Sequence, residues 1–218
     1  MYEKIIITGV PGTGKTTLAN ALGEHFMTRV IRITDYIKEK NLILETQKDG
    51  TIVPKMDELR RLLNEEMGII EGHLACEFKL RNSFVIVLRC DPEVLKKRLK
   101  ERGYKPAKIA ENYECEALDY CTQCACQNFK MVFEIDTTNK TPKETFDIAL
   151  KIIYGTSQGD KVNYSHYLGY HKARRAKFVK RGQAKRGLPK HEKKAKKKTK
   201  PVKKIKKKQK KAKKKRRR

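Results

Sequence analysis

The run Gly9-Val10-Pro11-Gly12-Thr13-Gly14-Lys15-Thr16-Thr17 has the residue types and the spacing to hold a chain of phosphates. Its glycines let successive backbone N–H groups face anionic oxygens, and a helix opening at the end of the loop adds a favourable dipole. On this pattern Gly12, Thr13, Gly14, Lys15, Thr16 and Thr17 are the expected ATP-binding residues. Lys15 would neutralise charge on the β- and γ-phosphates, and the Thr16 hydroxyl would reach a Mg²⁺ ion. The alternative is a chance glycine-rich turn. Against it, Ile5-Ile6-Ile7 reads as a buried strand delivering the loop, and Leu18 to Phe26 reads as the helix that receives it.

Other residues carry chemistry by type and place. Glu71 ends a short apolar run, where an acid can hold Mg²⁺ through water; an ordinary strand-end acid is the other reading. His73 follows two residues later, and a lone histidine is more often structural than functional. Arg98 and Arg102 lie four apart, so both project from one helix face. That face is either a solvated basic surface or a set of cations for a transferring phosphoryl group, whose charge spreads over its oxygens. Cys115, Cys121, Cys124 and Cys126 cluster, but C-x5-C-x2-C-x-C is not a structural-zinc spacing, so small core residues are expected and zinc is not.

The elements that must position these groups alternate. Strands are expected at Lys4–Thr8, Arg29–Ile33, Gly68–Glu71, Phe84–Leu88 and Lys130–Asp136. Helices are expected at Lys15–His25, Tyr36–Lys40 capped by Thr34-Asp35, Asp57–Glu66, Pro92–Arg102 capped by Asp91, Glu111–Gln127 and Pro142–Ile153. Residues 45–55, with Asp49-Gly50 and Pro54, read as a loop. The pattern predicts an α/β fold, a parallel sheet with helices on both faces and the phosphate loop at the carboxyl ends of the strands.

Charge divides the chain. Of the 53 Lys and Arg residues, 29 fall in residues 156–218, which carry a net +27, while residues 1–155 carry +1. A near-neutral domain over 1–155 is therefore followed by a basic segment, 156–190, and a Lys/Arg run, 191–218, too polar to bury a core and expected to be disordered alone. In 156–190, Tyr164, His166, Tyr167, Tyr170, His171 and Phe178 alternate with cations. Stacking aromatics beside Arg174, Arg175, Lys177, Lys180 and Arg181 suit RNA, and a charged tether without base contacts is the competing reading. A nuclear-import signal or a membrane-surface tether also fits the terminal run. No apolar run has the length of a membrane span, no secretory leader is expected, and the six cysteines fit reduced thiols in the cytoplasm.

Six motifs in order resemble the adenylate kinase 6 (Fap7) family: the loop ending Thr16-Thr17, Thr34-Asp35, Glu71-Gly72-His73, Leu88-Arg89-Cys90-Asp91, Arg98 to Tyr104, and Glu111 to Glu116. The resemblance covers residues 1–155. It implies a P-loop, nucleoside-monophosphate-kinase-like fold that converts ATP and AMP to two ADP with Mg²⁺ and has weak ATPase activity. It also implies a role in small ribosomal subunit maturation, with ribosomal protein uS11 and pre-rRNA as partners and a cytoplasmic, ribosome-associated location, nuclear in a eukaryote. In this reading 34–55 covers the monophosphate through Asp35 and Lys38, and 101–111 forms a short lid. Arg102 contacts ATP, Arg98 stabilises the transferring group, and Glu71 and His73 match the family's acid-x-His motif. Glu71 stands where the family often has Asp, and Lys38 where it often has Arg. An RNA-binding assembly factor with an ATP switch and a kinase for another acceptor are the other functions considered.

Overall fold

The computed structural model describes residues 3–47 and 50–168. Five parallel strands form the sheet: β1 (Lys4–Thr8), β2 (Val30–Arg32), β5 (Gly68–Glu71), β6 (Ser83–Arg89) and β7 (Val132–Asp136), in the order β2-β5-β1-β6-β7. β1 is central, pairing Ile5 with Ile69 on one side and with Phe84 on the other. β6 is buried along its whole length, which is why Phe84 to Leu88 reads as an unbroken apolar run.

Alternation along the strands builds two cores. Ile6, Ile70, Val85 and Val87 face one cluster, with Leu59 and Leu63 of α3 (Met56–Glu65) and Leu95 and Leu99 of α4 (Pro92–Glu101). Ile7, Ile69, Ile86 and Leu88 face the other, with Leu18 and Leu22 of α1 (Lys15–His25) and Ala149 and Ile152 of α7 (Pro142–Ile153). The expected three-layer α/β architecture is present.

Local chemistry sets the ends. Asp91 caps α4 by accepting from Glu93 and Val94 N–H, with Pro92 in the first turn. Thr141 and Glu144 form a capping box at α7.

Several expectations are corrected. Residues 45–55 are not a simple loop: β3 (Ile43–Thr46) and β4 (Ile52–Pro54) pair antiparallel, and Asp49-Gly50 was the hairpin signal between them. Thr34-Asp35 does not cap the second helix; α2 (Ile33–Glu39) begins directly off β2 with Arg32 at its N-cap, leaving Thr34 and Asp35 in the first turn. The single helix expected over Glu111–Gln127 is two, α5 (Pro106–Ala117) and α6 (Tyr120–Asn128). They are divided at Asp119, whose φ of 53° lies in the left-handed region that an aspartate can tolerate.

The segment read as a lid, 101–111, consists of the end of α4, the turn Arg102–Lys105 and the first part of α5. Arg174, Arg175, Lys177, Lys180 and Arg181, and the run 191–218, lie outside the described residues.

Candidate active site

The phosphate loop joins β1 to α1 under tight steric control. Gly9 has φ 133°, and a Cβ there would lie 2.3 Å from the Leu88 carbonyl oxygen, so the loop can lie against β6 only with glycine at this position. The Thr13 hydroxyl donates to Val10 O at 3.0 Å, closing the turn. Lys15 Nζ donates to the same carbonyl at 3.0 Å, which holds the ammonium over the loop. Enclosure by the loop pushes the Lys15 pKa down, opposed by the nearby Glu71 carboxylate.

Thr16 and Glu71 come from different elements and meet. The Thr16 hydroxyl donates to Glu71 Oε1 at 3.2 Å, which places a hydroxyl at the start of α1 beside a buried carboxylate at the end of β5. Both offer the hard oxygen ligands that Mg²⁺ prefers, so this pair fits the ion expected with ATP. Arg32 Nε lies 3.9 Å from the same carboxylate oxygen.

Arg98 is anchored rather than solvated. It donates to the Thr137 carbonyl at 2.7 Å, to the Thr138 carbonyl at 3.1 Å and to Thr137 Oγ1 at 3.3 Å, tying α4 to the loop after β7. Arg102 is the C-cap residue of α4, one turn on. Together with Gly12, Thr13, Gly14, Thr17, Thr137 and Lys140, both arginines line one cleft of about 220 Å³. Most of the residues expected at the ATP are thus in one place. Sequence reasoning missed Thr137 and Lys140. Their signal was position, since they follow β7 at the carboxyl edge of the sheet, where ligands bind in such folds.

His73 opens a short 3₁₀ turn, His73–Glu77, directly after β5. The imidazole lines a second hollow of about 430 Å³ beside Val10 and Pro11, with Lys108 and Asn112 of α5 across from it. Its open face meets solvent, yet the surrounding protein lowers its pKa from the ordinary value. Lys15 and Lys108 push it the same way and Glu111 opposes them. A carbonyl contact fixes the turn: Thr8 Oγ1 donates to His73 O at 3.3 Å.

The structure does not bring Asp35 into either hollow. Asp35 lines a separate groove with Arg29, Arg32, Tyr36 and Glu39, and Lys38 is exposed on the same helix.

Behind the cleft lies an ion cluster the sequence did not disclose. The Arg89 side chain, 1% exposed, donates from Nε to Glu116 at 2.7 Å, and from its two terminal nitrogens to Glu134 and Asp119. Glu116 also accepts from Cys90 N–H at 3.1 Å. One cation thus joins β6, α5, the α5–α6 break and β7. Among the described residues no group of three or more His, Cys, Asp or Glu side chains is arranged to hold a metal; of the four clustered cysteines Cys121 is buried and Cys126 exposed. Among the same residues no helix is long and apolar enough to cross a membrane.

Known proteins resemble this chain over about two thirds of its length. A family profile described as "AAA domain" matches residues 5–119. A Methanocaldococcus jannaschii protein named "Putative adenylate kinase" is 37% identical over 156 residues, 69% of this chain and 85% of that protein. A Methanothermobacter thermautotrophicus protein of the same name is 40% identical over 158 residues, 70% of this chain and 90% of its own length. Among solved structures, the shikimate kinase from Acinetobacter baumannii in complex with shikimate aligns with a TM-score of 0.55 at 17% identity, covering 72% of this chain and 96% of that one. The shikimate kinase from Bacteroides thetaiotaomicron aligns with a TM-score of 0.50 at 19% identity, covering 71% and 99%. At these identities the structural likeness establishes the fold alone.

Proposed function

This chain belongs to an adenylate-kinase-like P-loop family, and from that premise we propose that it catalyses ATP + AMP ⇌ 2 ADP with Mg²⁺. The observation that carries the reading is the shared lining of one cleft by the phosphate loop and by Arg98 and Arg102. Phosphoryl transfer asks for little covalent chemistry from the protein and much positioned positive charge.

In this mechanism the loop N–H groups and Lys15 hold the β- and γ-phosphates. Binding ATP exchanges the Lys15 contact with Val10 O for phosphate oxygens. Thr16 and Glu71 would hold Mg²⁺, directly and through water, and the ion would neutralise charge on the phosphates. Arg102 holds the ATP side of the cleft, and Arg98, fixed by Thr137 and Thr138, meets the charge that develops on the migrating group. Asp35 and Lys38 on α2 would serve the monophosphate only after the 34–55 region, including the β3–β4 hairpin, moves toward the loop. His73 faces the acceptor side, where a neutral imidazole can orient a nucleophile or water.

Initial rates of ADP formation with AMP, CMP and UMP as acceptors test the proposal. AMP should give the highest kcat/KM; a rate of ADP formation that no acceptor raises would overturn it. That second outcome would support another reading, an ATPase switch for ribosome assembly acting with uS11 and pre-rRNA. The observation favouring that alternative is compositional: 29 of the 53 basic residues lie in 156–218.

A further inference from the structure

The chain does not leave the domain at the end of α7. Gly159, with φ 73°, turns it back onto β7, where a Cβ would lie 2.4 Å from the Glu134 carbonyl oxygen. Asp160 N–H donates to that carbonyl at 2.9 Å. The Asp160 carboxylate then accepts from Asp136 N–H at 2.8 Å and from Lys140 Nζ at 3.3 Å. Tyr164 is 8% exposed, with its hydroxyl 3.2 Å from Thr138 Oγ1 and its ring over the Arg89 guanidinium. Tyr167 donates to Asp91 Oδ2 while the other oxygen of Asp91 caps α4.

The contacts to Lys140, Thr138 and Asp91 end on parts that shape the nucleotide cleft. Lys140 lines it. The Thr138 carbonyl holds Arg98, and the Thr138 hydroxyl accepts from Asp91 N–H at 2.8 Å. The helix that Asp91 caps carries Arg98 and is followed by Arg102 at its C-cap. The contacts are polar and directional, so they fix orientation as well as adding stability.

We infer that Asp160, Tyr164 and Tyr167 are positioning residues for ATP, a strap that sets Lys140 and the α4 arginines in the cleft. They do not line the cleft themselves; they act through Lys140, Thr138 and Asp91. The inference rests on the kinase reading for its consequence in turnover, but its consequence in nucleotide binding is separate.

The test uses the full chain with Asp160→Asn and Tyr167→Phe, each nearly isosteric. Three quantities are measured: affinity for a non-hydrolysable ATP analogue by titration calorimetry, KM and kcat for ATP and for AMP, and the melting temperature. Asp160→Asn keeps an acceptor oxygen but removes the charge paired with Lys140, and losing that ion pair from the frame of the cleft should weaken the ATP analogue by up to about fivefold. KM for AMP should stay at the parental value. Tyr167→Phe should lower kcat severalfold, because the mouth of α4 is no longer fixed. Parental analogue affinity in Asp160→Asn together with parental kcat in Tyr167→Phe would overturn the inference, whatever happens to the melting temperature. If the parental chain makes no ADP with any acceptor, the kinase reading fails, and the analogue affinity alone decides the strap: weakened binding supports it and unchanged binding overturns it.

Discussion

Thr16, in the first turn of α1, and Glu71, the last residue of β5, are 55 residues apart in sequence and share a hydrogen bond of 3.2 Å. Each satisfies the other and each is a Mg²⁺-type ligand, so a bound ion would replace this bond rather than create a site from nothing. Glu71→Gln removes the charge and keeps the shape. The expected result is a Mg²⁺ requirement shifted to about tenfold higher concentration, the size of a lost charged contact of about 1.4 kcal/mol. A Mg²⁺ titration of initial rates checks it.

Lys15→Ala should lower turnover by roughly 10²–10³, the usual loss when one charge aimed at the transition state is removed. Among the described residues Lys15 hydrogen-bonds only the Val10 carbonyl of its own loop, so the melting temperature should change little. Single-turnover rates and a thermal melt on the same preparation measure both.

Arg89→Ala should act on stability instead. It would leave Glu116 buried without its cation, together with Asp119 and Glu134. Breaking such a cluster from one side costs about 3–5 kcal/mol. Urea unfolding should show that loss. A change under about 1 kcal/mol would mean that water or a shifted side chain replaces the guanidinium.

The His73 imidazole should titrate below its ordinary value, since the enclosing protein, Lys15 and Lys108 all disfavour the charged form. Lys108→Gln should move the titration upward. The linked effect on stability has a fixed sign: a lowered folded pKa means the unfolded chain takes up the proton first. Stability tied to this group is therefore complete above the ordinary pKa and falls as pH drops through it. Proton NMR of the histidine signals from pH 5 to 8 reads the first effect, and melts of the parent and His73→Asn across that range read the second.

A chain ending at Leu168 should keep the nucleotide activity of the parent. One ending at Gly155 should not, because it lacks Asp160, Tyr164 and Tyr167. If the basic residues of 169–218 bind RNA, both should lose most of that affinity. If the removed residues contact about eight phosphates, log K for the full chain should fall against log salt with a slope of roughly −6 on single-stranded RNA. Equal affinity and slope for the full chain and the chain ending at Leu168 would rule out residues 169–218 as the RNA anchor.

The residues legible in the sequence were those whose chemistry is local. The phosphate loop, the Asp91 cap and the buried run of β6 each declare themselves within a few residues. The β3–β4 hairpin was half legible, since Asp49-Gly50 marks a turn, but Ile43–Thr46 alone does not mark a strand. The break at Asp119 carries no Gly or Pro signal; it follows from drawing Glu116 and Asp119 together onto Arg89. Arg89 stood out in the sequence only as part of Leu88-Arg89-Cys90-Asp91, because its three carboxylates are 27 to 45 positions away. Tyr164 and Tyr167 share their surroundings with many cations, and composition assigned them to the basic segment, whereas their hydroxyls face Thr138 and Asp91.

The central place of β1 also governs the order in which the chain can assemble. β1 does not pair with β2, the strand that follows it in sequence. It must wait for β5, more than sixty residues later, and for β6 after that. As the polypeptide emerges from its N-terminus, the phosphate loop stays without its walls until Leu88 has been made, because Gly9 packs on the Leu88 carbonyl. Such long-range parallel pairing makes for slow folding. A nascent chain halted before Ser83 would expose an open β1 edge, and a holdase or a nearby partner surface would find its longest window there.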